Sequence, residues 1–219
     1  MDTVLFRNKI DAEEFDYQML LDCLSDYQQP RAKITKLLKK GVIIRVKKGL
    51  YVFGEPYRRK PVSREILANL IYGPSYISLD YALQWHGLIP EAVHTVTSVT
   101  SGRSRTFTTP FGTFSYRHIA LKAFQIGMDR VPLDDNRAFL IATPEKALAD
   151  KIVAERGTGI RSLGELKVHL EENMRVDPNE LRKLDPDRLV RIADHLRPTI
   201  VKLLSRLVSQ LGRPEGRAV

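Results

Sequence analysis

The sequence predicts an α+β protein with an N-terminal unit of helices and a hairpin, a mixed α/β domain with a small sheet, and a helical C-terminal part. Three observations predict this order. Apolar residues between positions 30 and 54 change from helical to alternating spacing, β-branched segments recur between 92 and 143, and capping signals recur after 160. We therefore place one domain at residues 1–57 and a second at 58–219, mixed to about 155 and helical from about 160.

The first helix is predicted within residues 11–27, which are acidic and helical in pattern. Asp16 can cap it, and Met19, Leu20, Cys23 and Leu24 form an apolar stripe. We interpret Cys23 as a small core residue, because no neighbour in the sequence would lower the pKa of its thiol. A single cysteine also favours a reducing cytoplasm.

A second, basic helix is predicted after Pro30, which suits a first helical position. Ile34, Leu37 and Leu38 recur at the spacing of one buried stripe, and lysines occupy the opposite side and flanks. Gly41 should end the helix in a left-handed conformation.

Two strands follow, at residues 42–46 and 50–53, joined by a turn that contains Gly49. Arg45 and Lys47 alternate with Ile44 and Val46, so we expect one cationic side and one core side. A short basic helix followed at once by a basic hairpin is the arrangement of a winged helix-turn-helix, whose helix enters the major groove of DNA while the wing contacts the backbone.

Charge favours DNA binding by this unit. Positions 31–60 hold eleven Lys or Arg and one acid, Glu55, whereas the whole chain has a net charge of +9. Two consecutive elements of one charge sign favour a polyanionic partner. The alternative is a solvated amphipathic helix and a surface hairpin.

Residues 55–63 are the best predicted linker, with two prolines and the basic Arg58, Arg59 and Lys60; they could also form an arm that contacts phosphates. Beyond them we expect two helices, at 64–72 and 79–86, and then strands at 92–100, 106–119 and 137–143. The segment 106–119 should form two strands, separated by a turn at 110–112. A further helix is expected from Thr143 through Ile152.

The C-terminal part shows capping-box spacing at Ser162 with Glu165 and at Asp177 with Glu180. Its leucine-rich stripes are most simply a core face, although such stripes also dock partner helices. The last residues, 212–219, are expected to be disordered.

We find no catalytic or cofactor motif, and five scattered histidines with one cysteine predict no metal site. One weak exception is Glu165-Leu166-Lys167, which has the Glu-x-Lys spacing of metal-dependent nucleases. In the loop at 101–105, Arg103 and Arg105 could bind an anion such as phosphate, and the alternative is a solvated turn.

Three blocks resemble one family: PRAKITKLLKKGVIIRVKKGLYVFG, PSYISLDYALQWHGLIPEAVHTVTSVTSGRSRTFTTPFGTFSYRHI and FLIATPEKALADKI. Together, over about residues 11–155, they are similar to the AbiEi-family antitoxins, the transcriptional-regulator half of type IV toxin–antitoxin pairs from bacterial abortive-infection systems, which act in phage defence. Beyond residue 160 only helical composition is recognised.

The resemblance implies a cytoplasmic, non-enzymatic repressor that binds inverted repeats in double-stranded DNA upstream of its own operon. It also implies opposition to a co-encoded nucleotidyltransferase-like toxin without a stable complex, and neither a cofactor nor a membrane is expected. The DNA contacts it implies are Arg31, Lys33, Thr35, Lys36, Lys39, Lys40, Arg45, Lys47 and Lys48.

Three other functions remain open at this point. They are a winged-helix regulator whose second domain senses a ligand, a metal-dependent nuclease that uses Glu165, and an interaction module that works through the C-terminal helices.

Overall fold

The computed structural model describes residues 3–155, 157–196 and 199–212, and it confirms a mixed α+β protein with two sheets. The N-terminal unit contains α1 (Thr3–Asn8), β1 (Glu14–Asp16), α2 (Tyr17–Cys23), α3 (Pro30–Lys39), β2 (Ile43–Lys47), β3 (Leu50–Phe53) and a 3₁₀ turn at Glu55–Tyr57. The sequence predicts disorder at residues 212–219, and all of these except Gly212 lie outside the described part of the chain.

The first sheet is antiparallel in the order β1-β3-β2. Residues 14–16 are therefore a strand, and the helical prediction for 11–27 is wrong there. Phe15 pairs with Tyr51, and the centre of its ring lies 4.7 Å from that of Phe53, so sheet pairing and aromatic burial override the acidic, helix-like pattern. The helix begins only at Tyr17, where the side chain of Asp16 accepts a hydrogen bond from the N–H of Met19 at 2.8 Å, as predicted.

The larger unit begins at Arg64. Its elements are α4 (Arg64–Ile71), β4 (Ser75–Ile77), α5 (Leu79–Trp85), β5 (Val96–Thr100), β6 (Arg105–Thr109), β7 (Gly112–His118), α6 (Leu121–Phe124), β8 (Met128–Asp134), β9 (Arg137–Ala142) and α7 (Pro144–Ala154). The six strands form one sheet in the order β6-β7-β5-β4-β9-β8, with β4 parallel to β9 and β5 parallel to β7. The sequence did not predict β4 and β8.

Helices cover both faces of this sheet. Tyr116, which pairs with Ser98, donates a hydrogen bond to the carbonyl of Ala68 on α4 at 2.6 Å. Tyr76 pairs with Val99, which follows Ser98 on β5. Because neighbouring residues of a strand point to opposite faces, Tyr76 lies on the other face of the sheet, where it contacts α7.

The C-terminal helices are α8 (Leu163–Val168), a π-helical turn (His169–Asn173), α9 (Pro178–Arg182), α10 (Pro186–Leu196) and α11 (Thr199–Leu211). Ser162 and Glu165 form the predicted capping box, with both reciprocal hydrogen bonds present. The apolar stripes of α10 and α11 are buried against the larger unit and belong to its core, as predicted. Within the described ranges, no helix is both long and apolar enough to cross a membrane.

The hairpin of β2 and β3 lies between two hydrophobic clusters. Tyr51 and Phe53 belong to the N-terminal cluster, which α2 and α3 complete. Val46, Leu50 and Val52 belong to the cluster of the larger unit. Alternating residues of one strand therefore serve two cores, and this fixes the hairpin against the larger unit.

A fully buried ion pair joins Lys146 and Asp150, one turn apart on α7. Ser78 donates a hydrogen bond to the second carboxylate oxygen of Asp150 at 2.8 Å. Ser78 is the N-cap residue of α5, but its hydroxyl donates to Asp150 and makes no capping hydrogen bond to this helix. Burial raises the pKa of Asp150 and lowers that of Lys146, since both charged forms are removed from water.

Candidate nucleic-acid interface

The helix α3 has one apolar and one cationic face. Ile34 and Leu37 are 5 % exposed and pack into the N-terminal core. The opposite face is exposed along its whole length, at Arg31, Thr35, Lys36, Lys39 and Lys40. Gly41 ends the element with a φ of 65°, the left-handed conformation that was predicted.

Two predicted contact residues on α3 already have partners. Lys33 is half-buried, and its Nζ lies 5.1 Å from the centre of the Tyr27 ring in the preceding turn. The Thr35 hydroxyl donates to the carbonyl of Arg31 at 3.1 Å, which leaves its oxygen as an acceptor towards solvent.

The hairpin does not form the single cationic side that alternation predicts. A β-bulge between Arg45 and Lys47 shifts the register, so Arg45 pairs with Tyr51 while Lys47 pairs with Leu50. These two partners face different cores, and the bulge therefore places Arg45 and Lys47 on opposite sides of the hairpin.

Lys47 faces the larger unit. Its Nζ donates to the carbonyl of Ile71 and lies 5.8 Å from the centre of the Phe107 ring. Burial lowers the pKa of Lys47, because the charged amine is partly removed from water. Arg45 and Lys48 are exposed, so they are the hairpin cations that solvent and a polyanion can reach.

The cations of α3 and the hairpin make no salt bridge with any residue that the structure describes. Residues 30–54 also contain no Asp or Glu. At Arg31, Lys36, Lys39, Lys40, Arg45 and Lys48 the surface therefore combines positive charge with exposed donors, which is the arrangement that binds phosphate.

The second predicted basic site, the loop at 101–105, is held by internal hydrogen bonds. His118 Nδ1 donates to the carbonyl of Gly102 at 2.8 Å, and the N–H of Gly102 donates to the Thr100 hydroxyl at 3.0 Å. Arg103 and Arg105 are both exposed, and the guanidinium carbon of Arg105 lies 5.5 Å from the centre of the Tyr72 ring. The loop thus presents guanidinium groups, while the N–H of Gly102 is already used.

Glu165 is an exposed residue of α8, and its carboxylate accepts hydrogen bonds from the N–H groups of Arg161 and Ser162. These bonds lower its pKa. The strand that the nuclease hypothesis requires is not present at this residue.

Cys23 is partly buried in the N-terminal core, and burial raises the pKa of its thiol.

Sequence reasoning missed a network of charges at the junction of the two units. Glu13 is 2 % exposed, and its Oε1 accepts hydrogen bonds from the side chain of Arg7 and from the N–H groups of Arg59 and Lys60 at 3.0 and 3.1 Å. Residues 55–63 are therefore bound to the N-terminal unit rather than a free linker. The only signal in the sequence was the adjacent pair Glu13-Glu14.

The same junction continues through Arg137. Its Nη1 donates to the carbonyl of Pro61 at 2.8 Å and lies 3.6 Å from Glu14, and its Nε donates to Asp134 at 2.7 Å. The N–H of Ser63 donates to the same oxygen of Glu14 at 3.2 Å. One arginine of the larger unit thus contacts the N-terminal unit and the connecting segment.

The sequence matches no protein-family model, and no curated protein matches it significantly. The resemblance to the antitoxin family therefore rests on the three sequence blocks themselves.

Proposed function

We propose that this protein is a sequence-specific DNA-binding autorepressor and the antitoxin of a type IV toxin–antitoxin system. The observation that supports DNA binding best is the exposed cationic face of α3. Its charges lack acidic partners among the described residues, and it is followed directly by a hairpin that presents Arg45 and Lys48. The order of helix, turn, helix and hairpin is that of a winged helix-turn-helix.

In this proposal α3 is the recognition helix. Its first turns, with Arg31, Thr35 and Lys36, meet base edges, because the N-terminal part of such a helix usually does so. Lys39, Lys40, Arg45 and Lys48 contact phosphates, whereas Lys47 contributes little because it is directed to the larger unit. A single unit of this size reads few base pairs, which is consistent with two inverted half-sites.

The antitoxin part of the proposal is supported by the resemblance of residues 11–155. It places the protein in the cytoplasm, opposite a nucleotidyltransferase-like toxin encoded beside it. We expect co-expression to restore the growth of cells that make this toxin, although the two proteins do not co-purify. Growth arrest that persists despite soluble antitoxin would contradict this part alone.

The first test of DNA binding is a titration against the upstream DNA of the gene and against a scrambled duplex. The four phosphate contacts named above would make the affinity fall at least roughly a hundredfold between 50 and 200 mM salt. We expect tight binding to the upstream DNA only. Equal binding to both duplexes, or affinity that does not depend on salt, would refute a sequence-specific repressor.

Single substitutions test the surface. Arg45→Ala should weaken binding to every sequence and reduce the log–log salt slope by about one, because it removes a phosphate contact. Lys36→Ala should weaken operator binding by about 1–3 kcal/mol and relax the sequence specificity, because it removes a contact to a base edge. Lys202→Ala, an exposed lysine on α11, is the matched control and should bind like the wild type. If both test variants also bind like the wild type, another surface contacts the DNA.

A further inference from the structure

A cavity of about 310 Å³ lies between the larger sheet and α7, where β7 ends. Its floor includes the buried side chains of Val99 and Ala123, and its mouth is bordered by the exposed residues Arg117 and Ala120. The volume lies within the range of small-molecule sites. None of the residues that line it belongs to the N-terminal unit, so binding here does not rest on the proposed function.

Arg117 is the cation of this cavity. It pairs with Val99, which in turn pairs with Tyr76, so its side chain lies on the face of the sheet that α7 covers. Its Nη2 donates to the carbonyl of Ala154, at the end of α7, at 2.8 Å. The residue is exposed, and its guanidinium makes no salt bridge within the described part of the chain. It therefore keeps N–H donors for a further partner that enters from solvent.

The surroundings of Arg117 favour an anion as this partner. Residues 92–128 contain no Asp or Glu. Among the described residues, Asp150 is the acid that lines the cavity, but its side chain is fully buried and its oxygens already accept hydrogen bonds from Lys146 and Ser78. A ligand at the mouth thus meets a positive charge that no nearby carboxylate compensates.

The walls of the cavity below Arg117 are largely apolar. Leu79, Ile119 and Val153 line it together with the two floor residues. One guanidinium matches one carboxylate through two parallel N–H donors, whereas a phosphate dianion in an apolar site would need more donors than this cavity offers. The combination suits a molecule with one carboxylate and an apolar body.

We propose that this cavity binds a small monocarboxylate, whose carboxylate accepts hydrogen bonds from Arg117 and whose apolar body covers Val99, Ala123 and Val153. The larger unit then has a ligand site of its own, whether or not the N-terminal unit binds DNA.

The test is isothermal titration of the full chain with phenylacetate, in parallel with the neutral phenylacetamide, the cationic phenethylamine and inorganic phosphate. We expect phenylacetate to bind at least tenfold more tightly than each of the others. The amide lacks the charge, the amine has the opposite charge, and phosphate lacks the apolar body. Absence of phenylacetate binding, or binding of any other compound with equal affinity, would overturn the proposal.

Substitutions of exposed arginines locate the site. Arg117→Met should weaken phenylacetate binding at least tenfold, because it removes the charge and the donors but keeps a long side chain. Arg117→Lys keeps the charge without the planar fork, so its affinity should lie between those of Arg117→Met and the wild type. Arg130→Met, at the far edge of the sheet on β8, is the matched control and should bind like the wild type. Unchanged binding by Arg117→Met would show that phenylacetate binds at another place.

A further pair of measurements tests the apolar part of the cavity. Ala123→Leu adds three carbons to the floor and should weaken phenylacetate binding at least tenfold, because less space remains for the ring. Acetate, which has the same charge without the ring, should bind the wild type at least tenfold more weakly than phenylacetate. The acetate measurement stays decisive if Ala123→Leu fails to fold. Equal affinity for acetate and phenylacetate would reduce the site to a surface cation and overturn the proposal.

Discussion

At the scale of single residues, Gly54 fixes how the end of β3 meets the end of α3. Its N–H donates to the carbonyl of Val42 at 2.8 Å, and the residue is buried. A side chain at this position would overlap the backbone carbonyl of Gly41. The hairpin and the proposed recognition helix are therefore held together by a contact between two backbones.

We expect Gly54→Ala to lower the free energy of unfolding by at least about 1–3 kcal/mol, because backbone atoms must move to accept the methyl group. Gly164→Ala is the control, since a Cβ there meets no atom within 4 Å and the residue lies in α8. It should leave stability unchanged or raise it by up to about 1 kcal/mol. Urea unfolding of both variants measures this, and equal effects would contradict the proposed overlap.

At the scale of elements, the start of α8 shows how local spacing defines a helix end. The Ser162 hydroxyl accepts from the N–H of Glu165 at 3.2 Å, while the Glu165 carboxylate accepts from the N–H of Ser162 at 3.2 Å. Backbone donors that lack partners inside the helix are thus satisfied. This role accounts for Glu165 without any catalytic function.

We expect Glu165→Ala to lower the denaturant concentration at the unfolding midpoint, because the N–H groups of Arg161 and Ser162 lose their acceptor. Glu172→Ala removes an exposed carboxylate without such bonds and should cost much less. Chemical denaturation compares the two variants. The nuclease hypothesis would be favoured instead if Glu165→Ala is as stable as the wild type and has lost a metal-dependent DNA cleavage that the wild type and Glu172→Ala both show.

At the scale of the whole molecule, the two units are joined by buried charges as well as by apolar packing. The Arg137 guanidinium beside Asp134 holds the pKa of that carboxyl well below its ordinary value of 3.8. Burial raises the pKa of Glu14, an effect that the N–H of Ser63 and the nearby Arg137 oppose. The junction therefore depends on Arg137 for both carboxylates.

Arg137→Met should lower the melting temperature at neutral pH, because it removes a partner of both acids. A carboxyl with a lowered folded-state pKa stabilises the folded state above its ordinary pKa, and this stabilisation is lost as the pH falls towards the lowered value. The difference between variant and wild type should thus shrink as the pH falls, first through the raised pKa of Glu14, above its ordinary 4.5, and then below about pH 4 through Asp134. Melting curves across this range test it, and a difference that does not change with pH would assign the effect to packing alone.

Local patterns predicted much of this structure, and long-range pairing explains what they missed. The caps at Asp16 and Ser162, the end of α3 at Gly41 and the buried faces of α10 and α11 follow from short-range spacing, and all four are present. The strand of residues 14–16 forms because it pairs with β3, more than thirty residues later. No local signal reports such a partner.

The same limit applies to the candidate interface. The cationic face of α3 follows directly from helical spacing, and the structure shows it exposed. The bulge that separates Arg45 from Lys47 inserts one residue into a strand, and alternation alone cannot predict this insertion. The buried partners of Glu13 come from residues 7, 59 and 60, so the role of this acid appears only in the folded chain.

Because one hairpin serves two cores, the two units should lose their structure together. A fragment that ends at residue 57 would expose Val46, Leu50 and Val52 to water and would also lose the donors that hold Glu14. The larger unit alone would lose an apolar wall at the same place. We therefore expect the chain to unfold in one cooperative transition, because a cut after residue 57 would separate surfaces that pack together in the folded protein.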